Sequence, residues 1–515
     1  MNYKSRSAPR IAGYRAGLCL LACLNAAVGL AQSFRAPNAF STEVGGFVSN
    51  SDVTPFWLRA NQFGLVPNES PALTFRAGIY SGYDSTRRST SRWRTSQYDF
   101  GYGINVVANS GSAITGNKLL LPEAYLKIRR GIWEVYVGRR RERFGLADSA
   151  ISTGSYSWSG NALPVPKIQV AIPAFAPIGF TKGWVAIQGT YAHGLLDASG
   201  YIRNTMLHQK SFYVRLGRAS EVVRLYGGFN HQVVWGGKAA DPAGIPGVIP
   251  VGGKLPSSLI DYFYVVTGIN SGRTDSTKYT YFDQTNRVGN HLGSIDLGFE
   301  LDLVRHTIFA YRQSLFEDGS LASLINISDG LNGLRIRRNN PNALVRDILF
   351  ELLNTTNQGG SVFIITEAKL RGKDNYFNHQ QYRDGWAYRQ HAIGTPFITP
   401  AISPDGAYPY GIFTLNNRVR VFHLGLAGSL PIRGSALTSP VAYQVKLSYS
   451  RNLGTYDVPY QPIRDQFSGY AGIMIPFSML GGIQLTGNVA VDNGALYQNT
   501  FGAYISLRKI WSSRP

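Results

Sequence analysis

Side chains able to do chemistry gather most densely between Asp374 and Gly394, where His, Asn, Asp and aromatic rings crowd into DNYFNHQQYRDGWAYRQHAIG. Asp374, Asn375, Asn378 and His379 supply the oxygen and imidazole donors that a cation takes, but their spacing matches no standard metal loop and assigns no metal. Tyr376, Tyr382, Trp386 and Tyr388 offer flat faces on which the C–H surface of a sugar ring can stack, with Asn and Asp at hand for its hydroxyls. Asn375, Tyr376, Asn378, His379, Tyr382 and Trp386 are therefore the candidate carbohydrate-binding residues. The competing reading buries the same side chains, packing the rings under a loop and leaving His379 to satisfy backbone groups.

Catalytic arrangements find less support. The stretch Gly154 to Gly160 has Tyr156 at the middle position, so it is not the Gly-x-Ser-x-Gly elbow of an α/β hydrolase. Ser157 and His379 could form a nucleophile and base only if the fold joined them, since no spacing links them. Glu317 and Asp318 are adjacent, and neighbours on a strand point to opposite faces, so they could flank one glycosidic bond only from a loop. Both cysteines, Cys19 and Cys23, fall in an N-terminal leader, which leaves no thiol or disulfide chemistry to the mature chain. No catalytic residue, metal or cofactor is expected, and the chemistry that remains is binding. The cluster from Arg139 to Arg143 could hold lipopolysaccharide phosphate or an acidic polysaccharide, or could end a strand at a membrane boundary.

The elements that must carry these residues are strands. Ile483, Leu485, Val489 and Val491 alternate with Gln484, Thr486, Asn488 and Asp492, and Phe501, Ala503, Ile505, Leu507 and Trp511 share one face that Lys509 interrupts. Val441, Tyr443, Val445, Leu447 and Tyr449 repeat the pattern. A soluble sandwich alternates equally well. The strand around SIDLGFELDL separates the two, because Asp296, Glu300 and Asp302 on one face would be intolerable toward lipid and reasonable toward a wet or ion-paired lumen. Only 16% of residues are charged while the chain holds 30 Tyr and 57 Gly, a composition that aromatic girdles and tight turns consume.

The N-terminus sets the compartment. Lys4, Arg6, Arg10 and Arg15 precede the apolar run 16–24, and Gly29-Leu30-Ala31 resembles a signal-peptidase site, so residues 1–31 read as a secretory signal. Lipidation at Cys23 is the alternative processing route. Loss of those four cations lowers the formal net charge from +21 to +17. A basic exported chain points to anionic outer-membrane lipids, lipopolysaccharide or acidic polysaccharide rather than nucleic acid, with the alternative that its Arg and Lys simply solvate loops and a wet lumen.

Residues 32–515 form one domain in this reading. Strands of about ten residues and unequal loops give roughly 16 to 20 strands. That is an all-β, large antiparallel transmembrane β-barrel, monomeric, in the outer membrane, with a few short helices at one mouth or in the lumen. The spacing of Leu344, Ile348, Leu349 and Leu352 predicts a helix over residues 343–354. Residues 147–177 and 371–409 read as irregular, the first because Asn161-Ala162-Leu163-Pro164-Val165-Pro166 cannot sit in a central strand.

Taken in order, TPFWLRANQFG (54–64), LPEAYLKIRRGIWEVYVGRRRERFG (121–145), GSYSWSGNALPVPKIQV (154–170), YRQSLFEDG (311–319), SDGLNGLRI (328–336) and GKDNYFNHQQYRDGWAYRQHAIGTPF (372–397) resemble the capsule-assembly outer-membrane proteins of the Wzi type. The resemblance implies about eighteen strands with helices packed at the periplasmic side. It also implies a lectin-like role, holding exported surface or capsular polysaccharide without catalysis. A porin or polysaccharide-conducting channel is the alternative, using the lumen that Asp296, Glu300 and Asp302 would line. The four residues after Trp511 depart from the family's aromatic-terminal pattern.

Overall fold

A computed structural model describes residues 38–83, 98–112, 114, 118–147, 150–196, 201–241, 246–269, 278–317, 321, 323–364, 367, 372–401, 411–432 and 436–512. The expected signal 1–31 with its cysteines, Asp318 and residues 513–515 lie outside these. Eighteen antiparallel strands make one sheet. The first nine are β1 (Asn38–Ser49), β2 (Ala72–Ser81), β3 (Asp99–Ser110), β4 (Leu119–Arg130), β5 (Trp133–Arg139), β6 (Lys167–Pro177), β7 (Val185–Leu196), β8 (Thr205–Leu216) and β9 (Val223–Trp235). The second nine are β10 (Asn290–Asp302), β11 (His306–Phe316), β12 (Gly330–Arg338), β13 (Asp347–Asn354), β14 (Val419–Leu430), β15 (Val441–Gly454), β16 (Pro459–Phe477), β17 (Ile483–Gly494) and β18 (Thr500–Ser512). Each pairs with its sequence neighbour, and β18 returns to β1, Ala39 facing Ser512 and Ser49 facing Gly502, so the sheet closes and leaves no edge.

The direction of the alternation decides what the wall faces. Leu73, Leu126, Leu297 and Ile505 are exposed on the outside, while Thr74, Asn105, Gln313 and Ser468 are buried inside. A soluble sheet buries its apolar face, and this one shows it outward, as a lipid-facing wall must. Asp296, Glu300 and Asp302 point inward as expected. Asp296 accepts hydrogen bonds from Tyr213 and the Leu146 amide, both at 3.0 Å, and Arg224 joins Glu300 at 2.6 Å to Asp302 at 3.0 Å. Trp133, Trp184 and Trp511 stand exposed at the end that carries the described termini, an aromatic belt at one membrane boundary. Lys509, which interrupts the apolar face of β18, snorkels to the carbonyls of Leu480 and Gly481 in the adjoining turn.

The two ends of the barrel differ. Turns such as 131–132, 303–305 and 478–482 join strands at the end bearing the described termini, and the longest connections, 140–166, 236–289 and 355–418, leave the opposite, loop end. The described α-helices are α1 (Phe56–Arg59), α2 (Leu259–Thr267) and α3 (Tyr281–Thr285), all in loop-end connections. The family resemblance led to helices at the other, turn end. Among the described residues that end holds no α-helix, only the single 3₁₀ turns Gly179–Thr181 and Met479–Gly481, and the longer connection 82–98 is largely outside the description.

Two expectations are corrected. Residues 347–354 are strand β13, not helix: Ile348, Phe350 and Leu352 face lipid, while Leu349 and Leu353 are buried against the lumenal core. A strand apolar on both faces shows no period of two, and its leucines then happen to match helical spacing. The irregular stretch 147–177 ends earlier than expected, because β6 begins at Lys167. The strand accommodates Pro173 by slipping register between Ile172 and Ala176, a bulge that excuses the missing N–H.

Candidate functional site

The lumen is filled from the loop end by three connections, 50–71, 140–166 and 355–418, which pack into one core containing Trp57, Tyr156, Trp158, Tyr376, Trp386 and Phe413. Inward polar residues of the wall hold this plug. Glu351 on β13 accepts from the Ser152 hydroxyl at 2.8 Å, the Thr153 amide at 2.7 Å and the Thr153 hydroxyl at 2.9 Å, and also from Tyr311. Gln313 on β11 accepts from the Tyr156 amide at 3.0 Å, and His423 on β14 engages the Ile151 carbonyl at 2.7 Å. Further along the wall, Asp492 on β17 accepts from the Phe56 amide at 2.7 Å, and Ser448 on β15, beside His423, accepts from the Trp57 indole at 3.2 Å. A chain crossing a lumen must satisfy its backbone groups somewhere, and here the wall supplies the partners.

The six candidate carbohydrate residues all lie in this plug. Tyr376, Tyr382 and Trp386 are buried, so in this arrangement their rings turn no face to solvent. Tyr376 donates to Asp329 at 3.1 Å, Tyr382 to the Gly236 carbonyl at 3.2 Å and Trp386 to Asn290 at 3.1 Å. Asn378 spans Thr414, accepting from its amide and donating to its carbonyl, both at 2.9 Å, and donates to Asn375 at 2.8 Å. His379 lies beside Phe282 and accepts from the amides of Gln381 and Tyr382 at 3.2 Å, and burial lowers its pKa to about 3, so it stays neutral. Gly385 makes the tight return: its φ is +57°, and a Cβ there would sit 2.1 Å from the Phe377 carbonyl oxygen.

The other sequence candidates are likewise drawn into the plug. Ser157 donates to Asn230, not to His379. Glu317 accepts from the Phe377 amide at 2.9 Å and from Tyr156 at 3.0 Å. β5 ends at Arg139, whose guanidinium reaches the Tyr388 hydroxyl at 3.0 Å. Arg141 lies beyond the strand, so the two arginines do not share a strand face; Gly138, at a φ of +119°, lets the chain turn inward. Arg140 then pairs with Glu134 at 2.6 Å and Glu142 at 2.7 Å, and Lys167 meets Glu142 at 2.8 Å. Burial pushes the Glu142 carboxyl up, but Lys167 and Arg140 overcome that and hold it at about 2.

A different constellation surrounds the loop-end mouth. Arg383 stacks over Tyr201 at 5.0 Å, Arg418 over Tyr456 at 3.8 Å and Arg464 over Tyr460 at 4.1 Å. Arg389 lies 5.9 Å from the Tyr388 ring and Arg59 5.7 Å from Tyr497. Tyr388 is buried, but Tyr201 is exposed and Tyr456 and Tyr460 partly so, and these pairs set an aromatic surface beside a guanidinium, a combination suited to sugars that carry carboxylates or phosphates. Reading the sequence alone missed this set, because most partners sit in different connections and no spacing joins them. Lys373 and Asp457 add an ion pair of 2.6 Å at the same rim.

A closed, plugged 18-stranded barrel with an apolar outer belt defines an outer-membrane β-barrel protein. The family described as capsule assembly protein Wzi matches residues 74–403, and the chain belongs to that family. Among solved structures it is similar to Wzi of Escherichia coli, described as an outer-membrane protein involved in group 1 capsule assembly and a carbohydrate-binding β-barrel. The identity is 12%, 91% of this chain and 84% of that one are covered, and the TM-score is 0.55, a likeness of fold. OccK5 of Pseudomonas aeruginosa matches at 7% identity over 93% of this chain and 98% of its own, with a TM-score of 0.46. No curated protein matches the chain.

Proposed function

We propose that this protein holds an exported, acidic polysaccharide at the outer surface, as a monomeric, non-catalytic attachment protein. The observation that carries the reading is the pairing of a filled lumen with a mouth ringed by Arg–Tyr pairs, chiefly Arg383 with Tyr201 and Arg418 with Tyr456. A filled lumen suits retention better than conduction. Short turns of outer-membrane barrels face the periplasm and long loops face outward, which turns this mouth toward the medium. The buried Asn375–Trp386 segment supports that surface from below, with Tyr382 and Trp386 fixing the loop that bears Arg383 and Arg389. Residues 1–31 direct export and are removed, leaving 32–515 as the barrel, with lipopolysaccharide and other outer-membrane lipids around it.

The test is a deletion strain complemented with wild type or with Arg383→Ala/Tyr201→Ala/Arg418→Ala. The triple variant is expected to shed polysaccharide into the medium while its barrel still migrates heat-modifiably in SDS gels. Unchanged surface retention in the deletion strain itself would sink the reading. Intact-mass measurement of the mature chain checks export processing: a start at Gln32 is expected, and a lipid on Cys23 contradicts it.

A further inference from the structure

Connection 236–289 does more than roof the lumen: part of it folds back down the outer wall. Helix α2 lies against the lipid-facing side of β8 and β9, with Val265 packed among Val233, Trp235 and Val288. The Tyr262 hydroxyl hydrogen-bonds with Nε2 of His193, which faces outward on β7, at 2.7 Å. The opposite face of α2 shows Leu259 and Phe263 to the surroundings, 89% and 52% exposed. A short helix with one face on the barrel and the other apolar and bare sits as interfacial helices do, at the level of lipid headgroups.

Beneath the C-terminal end of α2 is a hollow of about 560 Å³. Its lower walls are Phe212, Phe229 and Ile295, and it lies over Gly227, where an added Cβ would meet only Leu297, at 3.8 Å. Lys210 and Arg287 form the upper edge. Lys210 donates to the Val266 carbonyl, and Arg287 to the Gly268 carbonyl at 2.6 Å. Each keeps further N–H donors beyond that single bond. Glu317 lies at the far edge, its carboxylate engaged by Phe377 and Tyr156. An apolar slot opening onto the membrane, closed above by two cations, matches an acyl chain beneath a phosphate.

We propose that this outer-wall hollow is a docking site for lipopolysaccharide, seating one acyl chain over Gly227 and a lipid A phosphate between Lys210 and Arg287. The hollow is at the loop end, hence in the outer leaflet, where the anionic lipid is the phosphorylated glycolipid. The inference rests on the barrel's orientation and not on what the mouth binds. A lipid fixed there holds α2, and with it the connection that bears Gly236, the partner of Tyr382 in the plug.

Native mass spectrometry of the detergent-purified protein, titrated with bisphosphorylated lipid A, dephosphorylated lipid A and phosphatidylglycerol, tests this. Wild type is expected to bind one bisphosphorylated lipid A at least tenfold more tightly than either comparison lipid. Lys210→Gln/Arg287→Gln should lose at least tenfold by removing charge, and Gly227→Leu a similar factor by filling the slot with both charges intact. Equal binding of dephosphorylated lipid A, equal binding of phosphatidylglycerol, or a charge variant that binds like wild type overturns the proposal. Heat-modifiable migration shows which variants are folded, and the three-lipid comparison on wild type decides even if neither variant folds.

Discussion

Removing the Glu351 carboxylate should loosen the plug and leave the barrel standing. Glu351 is a buried acceptor for four donors, three of them on the plug residues Ser152 and Thr153 and one on Tyr311 of the wall. Hydrogen bonds to a charged group contribute about 1.5–3 kcal/mol each, and a donor stranded in a buried site costs about 1–3 kcal/mol. In Glu351→Ala the hydroxyls of Ser152, Thr153 and Tyr311 can rotate toward other acceptors, whereas the Thr153 amide cannot. The net loss for plug docking is then about 3–4 kcal/mol rather than the sum of four bonds. The closed hydrogen-bonded wall does not depend on this carboxylate. At about 1.4 kcal/mol per tenfold, amide-exchange protection across residues 151–159 should fall by roughly two to three decades while strand amides keep theirs. Planar-bilayer recordings give the functional readout: wild type should be electrically silent, and Glu351→Ala should show intermittent openings as the plug undocks. If residues 151–159 keep full protection in the variant, the plug is not held by its wall contacts and the reasoning fails.

Other outcomes follow from the same geometry. Trp386→Ala should destabilise the plug by about 3–5 kcal/mol, and Trp386→Phe by about 1 kcal/mol through loss of the bond to Asn290, read as protease sensitivity of residues 372–398; equal sensitivity of the two variants would contradict a packing role. Two carboxyls outside the spanning strands titrate with opposite sign. Glu142, held at about 2, adds stability that is complete above the ordinary glutamate pKa and disappears as the pH falls toward about 2. Asp384 is raised to about 6 by burial, so its neighbourhood is most stable at low pH and loses stability as the pH climbs to about 6. Asp384→Asn should therefore slow amide exchange around residues 380–386 at pH 7.5 and leave it unchanged at pH 4, and an effect of equal size at both pH values argues against a buried charge.

How much was legible follows from the range of each interaction. The alternation in β15, β17 and β18 is a period-two signal carried within a few residues, so the wall could be read directly. Asp296, Glu300 and Asp302 gave its wet side, since three carboxylates on one face have few tolerable surroundings. Strand β13 was unreadable by the same rule because plug and lipid both want apolar partners, so Leu349 and Leu353 break the alternation. Aromatic density drew the eye to residues 374–394, and composition could not tell a sugar-facing ring from a core ring. The neighbours that bury Tyr376, Tyr382 and Trp386 come from residues remote in sequence, including Asp329, Gly236 and Asn290.

By itself the sequence determined a membrane-facing β wall with a wet inner side, and it led to the expectation of a cleaved leader that takes both cysteines with it, because each of those traits is written in local pattern or composition. Tertiary structure alone decided that the lumen is plugged, that the chemistry-rich segment is the plug's interior, and that arginine meets tyrosine around the mouth. Those outcomes depend on which strands the loops return to, and chain closure brings together Arg383 and Tyr201, or Glu351 and Thr153, that no local period could have joined.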